Sequence, residues 1–129
     1  LENDTQGLPK NITLLGTVDR EVLRRLYSEH QFYFQGSKIE GLPNVLCEAM
    51  LCECIPLGTN IFGIPDAIGN TGIVFDPSEG LEAIISFVKD KEDLQRAGMM
   101  ARERIVSQFP ISKREYAFNS ILNPKLNAK

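Results

Sequence analysis

A chain of 129 residues, 43% hydrophobic and 24% charged, can bury one core and has the composition of an ordinary globular domain. Its net charge of −3 argues against a nucleic-acid surface, and no apolar run approaches the roughly 20 residues of a membrane helix. Its three cysteines, Cys47, Cys52 and Cys54, are an odd, clustered set, unlike a secreted disulfide framework, and the single histidine, His30, is too distant in sequence to complete a zinc site. They read as small apolar residues in a reducing, cytoplasmic setting, and no metal is expected.

Taken in order, Asn11–Leu15 is rich in β-branched residues, stops at Gly16 and predicts a first strand. Asp19 can cap the next segment, in which Val22, Leu23, Leu26 and Tyr27 form a helical stripe ending near His30. Gln31–Gln35 predicts a second strand. Leu42, Val45, Leu46, Ala49 and Met50 recur at helical spacing, so a helix runs to about Glu53, with Pro43 suited to its first turn. Ile55–Thr59 is a third strand, Gly63–Ile68 a turn and short helix, and Gly72–Phe75 a fourth strand. Asp76-Pro77-Ser78-Glu79 has the pattern of a capped helix start, with Leu81, Ile84, Ile85 and Val88 as the stripe behind it. Asp90 opens a further helix that Phe109-Pro110 ends; Ile111–Leu122 is the last helix and 123–129 a polar tail.

Strands alternating with helices predict an α/β fold, a Rossmann-like parallel sheet of about four strands with flanking helices, in one domain over residues 1–122. Ligands of such sheets bind beyond the carboxyl ends of the strands. Gly16-Thr17-Val18, Ser37–Pro43, Thr59–Pro65 and Asp76 fall there. The stretch between the second and third strands carries the most chemistry. Its helix points its N-terminus at a tight turn, where free N–H groups and the helix dipole favour an anion. Two carboxylates frame it: Glu40 just before the helix, and Glu48 further along, on one stripe with Asn44 and Gly41. Because Glu48 lies among Val45, Leu46, Cys47, Ala49 and Met50, it is expected to be largely buried and to need a partner. No GxGxxG follows a strand, and no GxxxxGK[ST] loop occurs, so a dinucleotide fold and a P-loop are not indicated.

Glu40, seven residues, then Glu48-Ala49-Met50 resembles the E-x7-E motif of retaining glycosyltransferases with the GT-B fold, family 4 (group 1). Ile55–Thr59 followed by Gly63-Ile64-Pro65-Asp66 resembles that family's next strand and its Gly-Gly-Ile-Pro-Glu turn. The resemblance covers Asn11 to about Leu122 and implies part of a C-terminal, donor-binding domain. It implies that Glu40 is catalytic, lying near the reacting carbon of the donor sugar, and that Glu48 binds the ribose hydroxyls. Backbone groups of Gly41, Leu42 and Asn44 would meet the distal phosphate, Gly63 and Ile64 the donor sugar, and Thr17 and Val18 the nucleobase. No cofactor is implied; the donor substrate is a nucleotide-diphosphate sugar. The acceptor, a sugar, lipid or glycan, would be held by an N-terminal domain that this stretch lacks, and the intact protein is expected to touch a membrane peripherally. The family's Arg and Lys for the diphosphate have no match here, so this stretch alone is expected to fold but to transfer no sugar.

In that family's sheet order, two strands would separate Asn11–Leu15 from Gln31–Gln35; without them, direct pairing of the two is expected. The chain departs from the family at Phe62, where a second Gly is common, at Asp66, where Glu is common, and at Glu53-Cys54, where a small residue and Gly are usual. Read without the resemblance, Glu40 is a helix-stabilising carboxylate, and Arg20, Arg24, Arg25 and Lys38 are solvated. The alternative function is a non-catalytic α/β module that binds a nucleotide sugar or a protein.

Overall fold

The computed structural model describes residues 7–39, 41–90 and 93–122. The polar tail expected over 123–129 lies outside them. In chain order the elements are α1 (Arg20–Glu29), β1 (Phe32–Gln35), α2 (Asn44–Leu51), β2 (Ile55–Thr59), α3 (Gly63–Ile68), β3 (Ile73–Phe75), α4 (Gly80–Lys89), α5 (Leu94–Gln108) and α6 (Ile111–Leu122).

The strands form one parallel sheet in the order β1-β2-β3, with Phe32 opposite Ile55 and Leu57 opposite Ile73. β2 is buried at all five positions, as the centre of a covered parallel sheet should be. Gly58 lets it sit under α3, because a Cβ there would lie 2.4 Å from Ile64 and 2.8 Å from Ile68. Leu46 and Met50 of α2, Ile64, Ala67 and Ile68 of α3, and Ala101 and Ile105 of α5 make the main core. A second cluster, Tyr27, Ala49 and Cys54, docks α1 onto α2. Tyr27 meets Tyr33 edge to face, with ring centroids 5.6 Å apart.

α5 closes this core by satisfying carbonyls at the ends of two other helices. Arg104 donates to Asp66 O at 2.7 Å and Ala67 O at 2.8 Å, at the end of α3. Arg102 donates to Leu51 O, at the end of α2. Gly98 permits the approach, since a Cβ there would stand 2.3 Å from Glu53 O.

The sheet has three strands, not four. Asn11–Leu15 is neither helix nor strand, and all five residues are exposed. The expected direct pairing with β1 does not form among the described residues: β1 pairs only with β2. β-propensity alone does not make a strand; a ladder partner does. Three helix starts also move. Pro43 is the N-cap residue of α2 rather than its first helical position. Asp76 to Glu79 closes a turn, with Glu79 N donating to Asp76 O at 2.9 Å, so α4 begins only at Gly80. Gly80 lies so close to Phe75 that a Cβ would come within 2.6 Å of its ring. Asp90 ends α4, and Asp93 caps α5 by accepting from Arg96 N at 2.9 Å. The Asp19 cap of α1 is present, accepting from Val22 N at 2.9 Å, and His30 Nδ1 lies 2.7 Å from Leu26 O at its other end.

Candidate functional site

The loops that follow the three strands are tied together. Thr59, buried at the end of β2, donates its hydroxyl to Ser37 O at 2.8 Å, which holds the β1–α2 loop against the sheet. Gln35 accepts from the Tyr33 hydroxyl at 2.8 Å and donates to Ser37 Oγ at 2.6 Å. Asn60 N donates to Phe75 O at 2.9 Å, and its side-chain amide to Asp76 at 3.4 Å.

Two of these loops also approach each other through their backbones. A Cβ built on Gly63 would lie 2.7 Å from Gly41 O and 2.9 Å from both Leu42 Cα and Leu42 N. The turn into α2 and the turn into α3 are thus pressed together where only glycine fits. Gly41, Leu42 and Gly63, selected separately in the sequence, are neighbours. Asn44, the first residue of α2, is exposed beside them. Ile64 behaves differently: its side chain is fully buried in the core, and its N–H donates to Ile61 O at 3.1 Å. Thr17 and Val18 lie in the loop leading to α1, Thr17 exposed and Val18 half-buried. Glu40 lies outside the described residues.

Phe62 precedes Gly63 with φ 42° and ψ −118°, and its ring is 74% exposed. That backbone region suits glycine, so a phenylalanine there is strained. Glu53, in another departure from the family pattern, also has a positive φ, 69°. At both positions a non-glycine residue takes a positive φ.

Glu48 is not buried, contrary to expectation. α2 turns Leu46, Ala49 and Met50 to the core, whereas Glu48 and Cys52 lie on the flank that faces α1. There Glu48 opens onto a groove of about 640 Å³, whose α1 wall includes Arg20, Leu23 and Tyr27. Among the described residues Glu48 has no hydrogen bond or ion pair to consume its oxygens. Burial, with Tyr33 and Glu48 nearby, pushes the Tyr27 hydroxyl up to about 12. Burial, with Cys52 beside it, pushes the Cys54 thiol up to about 11, and burial and Glu48 raise Cys47. Cys54 donates to Tyr27 O at 3.0 Å, as a thiol and not a thiolate. Among the described residues no group of three or more His, Cys, Asp or Glu could hold a metal ion, and no helix is long and apolar enough to cross a membrane. Arg20, expected from the sequence to be solvated, is exposed, and it stands on the α1 wall of this groove.

A parallel α/β sheet flanked by helices is consistent with a Rossmann-like glycosyltransferase domain. Residues 2–104 match the family Glycosyl transferases group 1, and the chain belongs to that family. Among curated proteins it is similar to N-acetyl-alpha-D-glucosaminyl L-malate synthase of Bacillus anthracis, 33% identical over 102 residues, which covers 72% of this chain and 27% of that protein. It is also similar to the GPI3 subunit of phosphatidylinositol N-acetylglucosaminyltransferase of Saccharomyces cerevisiae, 29% identical over 72 residues, covering 56% of this chain and 16% of the relative. The chain therefore spans a small part of the length of these relatives.

Proposed function

We propose that this chain is the donor-binding part of a retaining glycosyltransferase that moves a sugar from a nucleotide-diphosphate sugar to an acceptor such as a polysaccharide or lipid-linked glycan. The observation that carries this reading is the contact of Gly63 with the Gly41–Leu42 backbone at the start of α2, with Glu48 free on the same helix. In this reading the donor lies along α2. The N–H groups of Gly41, Leu42 and Asn44 receive the distal phosphate at the positive end of the helix dipole. Glu48, acceptor-only when ionised, takes the two ribose O–H donors. Glu40 stabilises positive charge that develops on the sugar carbon as the bond to the diphosphate breaks. Both relatives are named for N-acetylglucosaminyl groups, which favours an N-acetylhexosamine as the sugar.

The test is made in the full-length protein. Glu48→Ala should weaken binding of the free nucleoside diphosphate by about 1.5–3 kcal/mol, the worth of hydrogen bonds to a charged acceptor. Glu40→Gln should lower turnover more than donor affinity, because its charge matters most in the transition state. Equal nucleotide affinities for wild type and Glu48→Ala would remove Glu48 from the site. Unchanged turnover in Glu40→Gln would leave Glu40 a helix-stabilising carboxylate in a non-catalytic module.

A further inference from the structure

We propose that Arg20 determines nucleobase specificity, and that the groove between α1 and α2 takes a base with a carbonyl edge, uracil or guanine, in preference to adenine or cytosine. This rests on the donor-binding reading above. If phosphate lies at the α2 N-terminus and ribose at Glu48, the base projects away from the phosphates into the space on which Glu48 opens. That space is the groove, and its volume of about 640 Å³ is in the range of small-molecule sites. Leu23 and the Tyr27 ring supply apolar wall for a base plane.

Three arginines line the groove, Arg20, Arg24 and Arg102. Arg102 is bound to the Leu51 carbonyl and Arg24 to Glu21 at 3.4 Å. Arg20 has no hydrogen bond or ion pair through its side chain among the described residues. It is the first residue of α1, directly after the Thr17-Val18 loop, and the Asp19 cap fixes its place. A cation at this end opposes the helix dipole, so α1 gains nothing from it. A guanidinium is a planar, donor-only fork. It matches the acceptors O4 of uracil or O6 and N7 of guanine; adenine and cytosine present an amino donor at the corresponding position.

The experiment is calorimetric titration of UDP, GDP, ADP and CDP into the full-length wild type, Arg20→Ala, Arg20→Lys and Glu48→Ala. Wild type should bind UDP or GDP most tightly. Arg20→Ala should lose about tenfold on that diphosphate, and about twofold or less on ADP and CDP, the size of one good guanidinium–base pairing. Arg20→Lys, which keeps the charge without the fork, should still lack the preference. Glu48→Ala should weaken all four alike, because ribose is common to them. A wild type that binds but does not discriminate, or an Arg20→Ala with the wild-type ranking while Glu48→Ala weakens all four, overturns this inference and leaves donor binding standing. No binding of any diphosphate by wild type, or an inert Glu48→Ala, overturns the donor-binding reading and this inference with it.

Discussion

Asn11–Leu15 and Ile55–Thr59 are both five-residue stretches that read as strands, and they end in opposite states. The second is buried at every position and pairs on both sides, with β1 and with β3. The first leaves Ile12 48%, Leu14 46% and Leu15 51% exposed and pairs with nothing among the described residues. Its side chains are no less suited to a sheet. The difference lies in the neighbours: β2 has a strand on each edge and α2, α3 and α5 packed nearby, so its backbone groups and side chains leave water together. The leading stretch has no ladder to join among the described residues; its Ile12 N–H instead closes a turn, donating to Pro9 O at 3.0 Å.

The most direct way to break this comparison is to cut the same side chain in both places. In the 129-residue chain, Leu57→Ala should cost about 2–5 kcal/mol, because it leaves a cavity in a packed strand. Leu15→Ala should change stability by about 0.5 kcal/mol or less, as exposed positions do. Urea midpoints at constant slope measure both. A large loss for Leu15→Ala would mean that this stretch packs against something in solution, and the contrast would collapse.

The second test moves from side-chain burial to backbone contact. Gly63→Ala places a methyl group 2.7 Å from Gly41 O and 2.9 Å from Leu42 Cα, and neither is the end of a flexible side chain that can swing away. The two loops must separate, at an expected cost of about 1–3 kcal/mol, the usual range for overpacking. Hydrogen exchange should quicken in residues 41–46, where α2 begins, before it does in β2. Wild-type exchange there would show that the two turns are not held together in solution.

Much of this architecture was legible in the sequence, and the parts that were not share one cause. β2 at Ile55–Thr59, α3 at Gly63–Ile68, α6 at Ile111–Leu122 and the Asp19 cap could be read from local pattern, because local pattern decides them. The first strand could not, because its fate depends on partners. The start of α4 was misplaced because Asp76-Pro77 also suits a turn, and the fit of Gly80 over Phe75 decides where the helix begins. The exposure of Glu48 was misjudged because an apolar helix need not be buried all round; which flank faces the α1 groove is set by packing. Gly41, Leu42, Asn44 and Gly63 were singled out through motif order, and the approach of Gly63 to the Gly41–Leu42 backbone is visible only in the fold. That Arg20 and Glu48 line one groove was not legible, since nothing in sequence places α1 beside Glu48.

A modest gain is expected at a place where neighbours override local preference. Phe62 sits at φ 42° and ψ −118°, a conformation that costs a bulky residue about 1–3 kcal/mol. Its ring is 74% exposed, so it regains little by burial. Phe62→Gly removes the strain but gives the unfolded chain more freedom, which takes back about 0.5–1 kcal/mol. The net expectation is a gain of about 1 kcal/mol, seen as a higher urea midpoint with unchanged slope. Glu53→Gly is the internal control. At φ 69° it lies nearer the left-handed helical region, where non-glycine residues are less strained, so its gain should be smaller. A Phe62→Gly variant less stable than wild type would show that the exposed ring contributes packing in solution, and that this turn is held by its side chain as well as by the backbone of Gly41 and Leu42 behind it.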